Sequence, residues 1–134
     1  MNIVVDSYAW IELFLGSEGG NRVKKILSDA EDVRTPDIVL AEISRKYSRE
    51  NVDKKRTRSR LTEISSASII TSVDVDIALK AGEAYLELAN TAKQQRRRMP
   101  SLFDAIVLAT AREHNSKVLT GDEHFEGLPE TVLI

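Results

Sequence analysis

Short apolar or β-branched runs, none longer than five residues, alternate along this chain with stretches of helical periodicity. That alternation constrains the fold more than any other feature. The runs are "NIVV" (2–5), "DVRTP" (32–36), "SIITS" (68–72), "KVLT" (117–120) and "TVLI" (131–134). Between the first two, residues 7–15 place Trp10, Ile11, Phe14 and Leu15 on one face. "GSEGG" reads as a break, and residues 21–28 resume helical spacing with Val23, Ile26 and Leu27. Thr35-Pro36 opens a helix from Asp37, with proline at its first position. Further helices are expected over 53–65, 74–93 and 101–114, the long one carrying Ile77, Ala81, Ala84, Tyr85 and Leu88 on a stripe. Strands this short, alternating with helices, predict an α/β fold. The expected form is three layers, α/β/α, around a short and mainly parallel sheet, with one crossover holding two helices. A length of 134 residues, 42% apolar, suits a single domain over 1–134.

Composition removes several classes. With no cysteine there is neither a disulfide framework nor a thiolate metal site. No apolar run reaches the roughly 18–20 residues that span a bilayer. "MNIVVDS" lacks the basic and then apolar pattern of a signal peptide, so the cytoplasm is the expected location. The net charge of −2 hides two basic stretches: residues 43–60 carry a local +6, and residues 88–103 a local +4. Either is an ordinary solvated face or a phosphate-binding stripe.

In a parallel α/β sheet the C-terminal ends of strands and the N-termini of helices share one edge, where ligands bind. Four acids from distant segments fall there. Asp6 ends the first strand, and Glu42 lies in the second turn of the helix after Thr35-Pro36. Asp104 is in the first turn of the helix at Ser101, and Asp122 follows "KVLTG". Each has an ordinary use: Asp6 as a helix cap, Asp104 in a capping box with Ser101, Asp122 in a turn, Glu42 on a helix flank. Those uses do not explain why all four gather at one edge. Close carboxylates must take up protons unless a cation neutralises them. A hard, oxygen-seeking cation, Mg²⁺ or Mn²⁺, is the natural partner, and it lowers the pKa of bound water and offsets charge on phosphoryl oxygens. Zinc is disfavoured, since only His114 and His124 are present and both read as surface residues.

"IVVDSYAWIELF", "LAEI", "SLFDAIVLATA" and "VLTGDEHF" resemble the four motifs of PIN-domain ribonucleases, in particular VapC-type toxins of toxin–antitoxin pairs. The likeness runs from Asp6 to Phe125. It implies a Mg²⁺- or Mn²⁺-dependent endoribonuclease that cleaves single-stranded RNA with activated water. It also implies a homodimer and a small DNA-binding antitoxin. Carried over by position, Asp6, Glu42, Asp104 and Asp122 match the acidic residues, as catalytic groups and metal ligands. Thr120 matches the hydroxyl before the last acid and would serve that acid or a metal water; Ser7 matches the small polar residue after the first. Trp10 and Phe14 are either candidate antitoxin contacts or ordinary core aromatics. Because "KQQRRRMP" directly precedes the helix of Asp104, Arg96, Arg97 and Arg98 are candidates for gripping RNA phosphates. The 43–60 stripe is a weaker candidate, its helices leading away from the edge after Glu42. A phosphatase that works through an aspartyl-phosphate needs a second acid two residues after Asp6, where Tyr8 stands; a receiver needs an adjacent acidic pair, where Val4 and Val5 stand before Asp6; no nucleotide-binding P-loop is present. A housekeeping RNA-processing nuclease, or a silent RNA- or partner-binding module on the same scaffold, are the alternative readings.

Overall fold

A computed structural model describes residues 1–134. In chain order the elements are β1 (Asn2–Val5), α1 (Ser7–Leu15), α2 (Glu18–Asp29), β2 (Asp32–Pro36), α3 (Asp37–Arg49), α4 (Lys54–Ala67), β3 (Ile69–Thr71), α5 (Val75–Gln94), α6 (Leu102–Glu113), β4 (Lys117–Thr120) and β5 (Thr131–Leu133). A one-turn 3₁₀ helix, Glu123–Phe125, which the sequence pattern did not announce, follows β4.

The sheet is parallel throughout, in the order β3-β2-β1-β4-β5. Three crossovers, not one, carry two helices each. From β1 the chain steps outward to β2 and β3, then returns past β1 to β4 and β5. Crossovers between parallel strands are right-handed, so α1–α4 cover one face and α5–α6 the other. The reversal makes β1 and β4 the switch point, where their C-terminal ends leave a crevice. Val5 is paired with Leu119 there, so Asp6 and Thr120 emerge side by side.

Central strands covered on both faces lose their alternation. Ile3, Val4 and Val5 are all fully buried, and so are Val118 and Leu119. Helix α6 is buried continuously from Ala105 to Ala111, which its small and branched residues permit against both sheet and α5. Arg112 ties this layer together. Its guanidinium donates to both carboxylate oxygens of Glu87 on α5, at 2.7 and 2.9 Å, and to Glu130 before β5 at 2.8 Å.

Two local readings are corrected. Helix α2 begins at Glu18, so the Gly19-Gly20 pair lies inside it rather than breaking the chain. Ser17 caps it, accepting from the Gly20 N–H at 3.0 Å. Pro36 caps α3 instead of opening it, because it still belongs to β2, paired with Thr71. Trp10 is also no surface residue. It is 2% exposed, stacks on Phe14, and donates its indole N–H to Thr35 at 3.1 Å, so it belongs to the core and not to a partner contact.

Candidate functional site

The crevice gathers all four acids predicted for it. Asp6 is only 4% exposed and caps α1, its Oδ1 accepting from the Ser7 N–H at 2.8 Å. Its Oδ2 accepts the hydroxyl of Thr120 at 2.8 Å. Thr120 was expected to serve the last acid. Instead it donates to the first, and its oxygen accepts the backbone N–H of Asp122 at 3.0 Å. One hydroxyl thus ties β1 to the loop that presents Asp122.

Asp104 performs its ordinary role and faces the crevice as well. Ser101 and Asp104 form a reciprocal capping box, the Asp104 carboxylate accepting the Ser101 N–H at 2.9 Å. Glu42 projects from the second turn of α3, and its Oε1 is buried with no hydrogen-bond partner. With Asp6 and Asp104 it lines a groove of about 400 Å³ between α1 and α3, where Tyr8 and Lys46 also lie. Lys46 therefore corrects the expectation that the 43–60 stripe leads wholly away from the acids.

The electrostatics follow from this crowding. Burial raises the Asp6 carboxyl to about 6; bonds from Thr120 and Ser7 oppose the rise, and Asp104 and Asp122 add to it. Burial raises Glu42 further, to about 8, with Asp6 and Asp104 adding repulsion that Arg45 only partly offsets. Asp104 is raised as well, mainly by burial. Charge repulsion and desolvation both favour protons here in the absence of a cation.

His124 was read as a surface residue and is instead buried, 6% exposed, beside the acids. Its Nε2 lies 2.6 Å from the Arg98 carbonyl, which can only accept, so Nε2 carries a proton. Nδ1 then faces Asp122 Oδ1 at 2.9 Å and Asp104 Oδ2 at 3.8 Å. Burial alone would lower the imidazole pKa, but the Arg98 carbonyl and the two aspartates raise it. One ligand atom from each of Asp104, Asp122 and His124 falls within 4.8 Å of the others. The sequence offered no signal beyond the aromatic neighbour Phe125.

The arginine loop divides. His124 fastens it to the acidic edge through the Arg98 carbonyl. Arg97 turns to the β4–β5 connection, donating to the Glu123 carbonyl at 2.7 Å and pairing with Glu126 at 3.3 Å. Arg98 is exposed and borders a cleft with Tyr8 and Asp122. Arg96 sits exposed at the left-handed turn after α5, with φ of 55°.

Carboxylates with raised pKa and an orphaned oxygen gather at a parallel-sheet switch point, an acidic cluster at the edge where such sheets bind ligands. The family is clear: residues 3–130 match the PIN domain, and the chain belongs to that family. By sequence, no curated protein matches. Among solved structures, a toxin–antitoxin complex from Klebsiella pneumoniae shares 26% identity, with a TM-score of 0.68 over 98% of this chain and 96% of that one. VapBC2 from Rickettsia felis, bound to a promoter DNA fragment, gives 18% identity and a TM-score of 0.73 over 100% and 98%. The Mycobacterium tuberculosis toxin VapC20, which cleaves the sarcin–ricin loop, gives 19% and 0.73 over 99% and 98%. At such identities the last two speak for the fold alone.

Proposed function

We propose that this protein is a Mg²⁺- or Mn²⁺-dependent endoribonuclease acting on single-stranded RNA, the toxin of a toxin–antitoxin pair. The observation that carries the reading is Glu42 Oε1, a buried oxygen without a partner, set among carboxylates whose pKa values burial and mutual repulsion raise. The donor set is oxygen-rich and fits a hard cation. Asp6, Asp104 and Asp122 would hold it, with Glu42 as a further ligand or as the group that orients the attacking water. When bound, the cation supplies a water of lowered pKa and offsets charge on the phosphoryl oxygens.

The chain's own residues have distinct tasks. Thr120 fixes Asp6 against rotation and keeps one of its oxygens hydrogen-bonded. Ser101 does the same for Asp104. Glu42, raised to about 8, holds a proton at neutral pH unless a cation draws it off, and its loss places a further negative charge near Asp6. Arg98 and Arg96 draw the RNA backbone toward an edge that would otherwise repel it.

A small DNA-binding antitoxin completes the reading, supported by likeness to solved toxin–antitoxin complexes, two of them bound to DNA, and a homodimer is proposed with it. The cytoplasm is the setting this reading requires, since the RNA substrate is there. No helix is long and apolar enough to cross a membrane. The test is cleavage of short RNAs with Mg²⁺, Mn²⁺ or excess EDTA, alongside calorimetric titration of the cations. Cleavage and cation binding should both vanish in Asp6→Asn and Asp104→Asn proteins that still fold. Cleavage that persists in EDTA would remove the metal from the reading.

A further inference from the structure

Tyr8 is an aromatic side chain in the first turn of α1, two residues beyond Asp6, and it is 43% exposed. Trp10 and Phe125 show that this chain buries its large rings where packing is their task. Tyr8 borders the acidic groove on one side and the cleft of Arg98, Asp122 and Glu123 on the other. With Asp122 it forms the ridge between the two.

Its place is kept by a glycine. A Cβ at Gly121 would lie 2.3 Å from Tyr8 Cε1 and 2.7 Å from Cζ, closer than real atoms approach. The backbone of Gly121 is not in the left-handed region, so glycine is needed there for room and not for its φ. The loop carrying Asp122 therefore supports the ring directly beside the acids.

We infer that Tyr8 is a stacking platform for the base adjoining the cleaved phosphate, and so a positioning residue for the RNA; this rests on the ribonuclease reading above. The crevice needs such a contact. Its acids repel phosphate, and the one cation that lines it, Lys46, is paired with Glu50. A ring on the dividing ridge engages a base face, which attracts without regard to backbone charge and accepts any base.

The test measures binding of a short unstructured RNA by fluorescence anisotropy, in an Asp104→Asn background so that no turnover intervenes. The same RNA is then used with one abasic residue moved along it. Tyr8→Ala should weaken binding about tenfold, within the range of base–aromatic stacking. Tyr8→Phe should restore it, and Gly121→Ala, which displaces the ring, should behave like Tyr8→Ala. One abasic position should cost about tenfold with Tyr8 present and nothing further in Tyr8→Ala. Equal binding with and without the Tyr8→Ala change, or an abasic penalty indifferent to Tyr8, overturns the inference while leaving the ribonuclease reading intact. Failure of every form to bind RNA, together with failure of the unaltered chain to cleave it with Mg²⁺ or Mn²⁺, overturns both. Calorimetric Mn²⁺ binding by Tyr8→Ala in the otherwise unaltered chain should match wild type; its loss also overturns the inference, since Tyr8 would then shape the acid cluster itself.

Discussion

Thr120 makes two hydrogen bonds with one buried oxygen, donating to Asp6 and accepting from the Asp122 N–H. Thr120→Val keeps the shape and strands the buried Asp6 carboxylate and the half-buried Asp122 N–H. Leaving such groups unsatisfied costs about 1–3 kcal/mol, which urea unfolding should register; Thr120→Ser should recover most of it. The same change removes a bond that holds Asp6 down, so the Asp6 carboxyl should titrate higher still. The four acids were legible because each falls at a strand end or in an early helical turn, positions that sequence pattern locates well. The partner of Thr120 was not, because it depends on the β1–β4 register that sets Val5 opposite Leu119. His124 escaped for a similar reason. A histidine in a polar turn reads as exposed, and only the return of the 95–100 loop over it makes it buried. Nor does sequence tell Arg97, spent on Glu123 and Glu126, from its exposed neighbour Arg98.

At the scale of elements, helices and strands follow from apolar spacing and from caps the residues announce, such as Asp53 before α4, Asp74 before α5 and Ser101 before α6. Gly19-Gly20 misled because glycine serves two purposes, breaking helices and letting them touch. A Cβ at Gly20 would stand 2.1 Å from the Glu12 carbonyl oxygen of α1, so here glycine permits close packing. Gly20→Ala should destabilise by at least about 2 kcal/mol, since backbone, not a flexible side chain, blocks the methyl. Gly19 gives the opposite sign. A Cβ there meets Glu12 Oε2 at 3.5 Å and Ser17 Oγ at 3.8 Å, both ordinary contacts. Gly19→Ala should be neutral or stabilising by up to about 1 kcal/mol, from helix propensity. Thermal melting of the pair checks both, and equal destabilisation would mean that the contact with α1 does not set Gly20 apart from Gly19. The paired helices of the three long crossovers were legible as separate stretches of helical spacing, at 7–15 and 21–28, from 37 and at 53–65, and at 74–93 and 101–114, although only one crossover was expected to hold two.

For the whole molecule, the acid cluster couples stability to pH and to cations. Asp6 and Glu42 have folded pKa values raised from 3.8 to about 6 and from 4.5 to about 8. An acid raised on folding binds protons more tightly in the native state, so stability is fully present below the unfolded value and lost as pH rises through the folded one. Asp104 is raised too and adds to the same fall. His124 has the same sign, its raised imidazole stabilising below 6.5 and losing that contribution through its folded pKa. Glu87, lowered chiefly by Arg112, acts oppositely, but only as pH falls below its ordinary 4.5. The cation-free protein should therefore melt lower as pH rises from about 5 to about 8, by on the order of 5 °C. Asp6→Asn should flatten the lower part of that profile, and Glu42→Gln the part around 8. A cation that binds only the ionised, folded cluster stabilises by mass action, and most where the protons have already left. Saturating Mg²⁺ or Mn²⁺ should thus raise the melting temperature more at pH 8 than at pH 5, and should raise it at neither pH in Asp6→Asn. Scanning calorimetry with and without EDTA measures all of this. A melting temperature that climbs from pH 5 to pH 8 without cation would mean the carboxylates are not crowded and buried as the crevice between β1 and β4 requires.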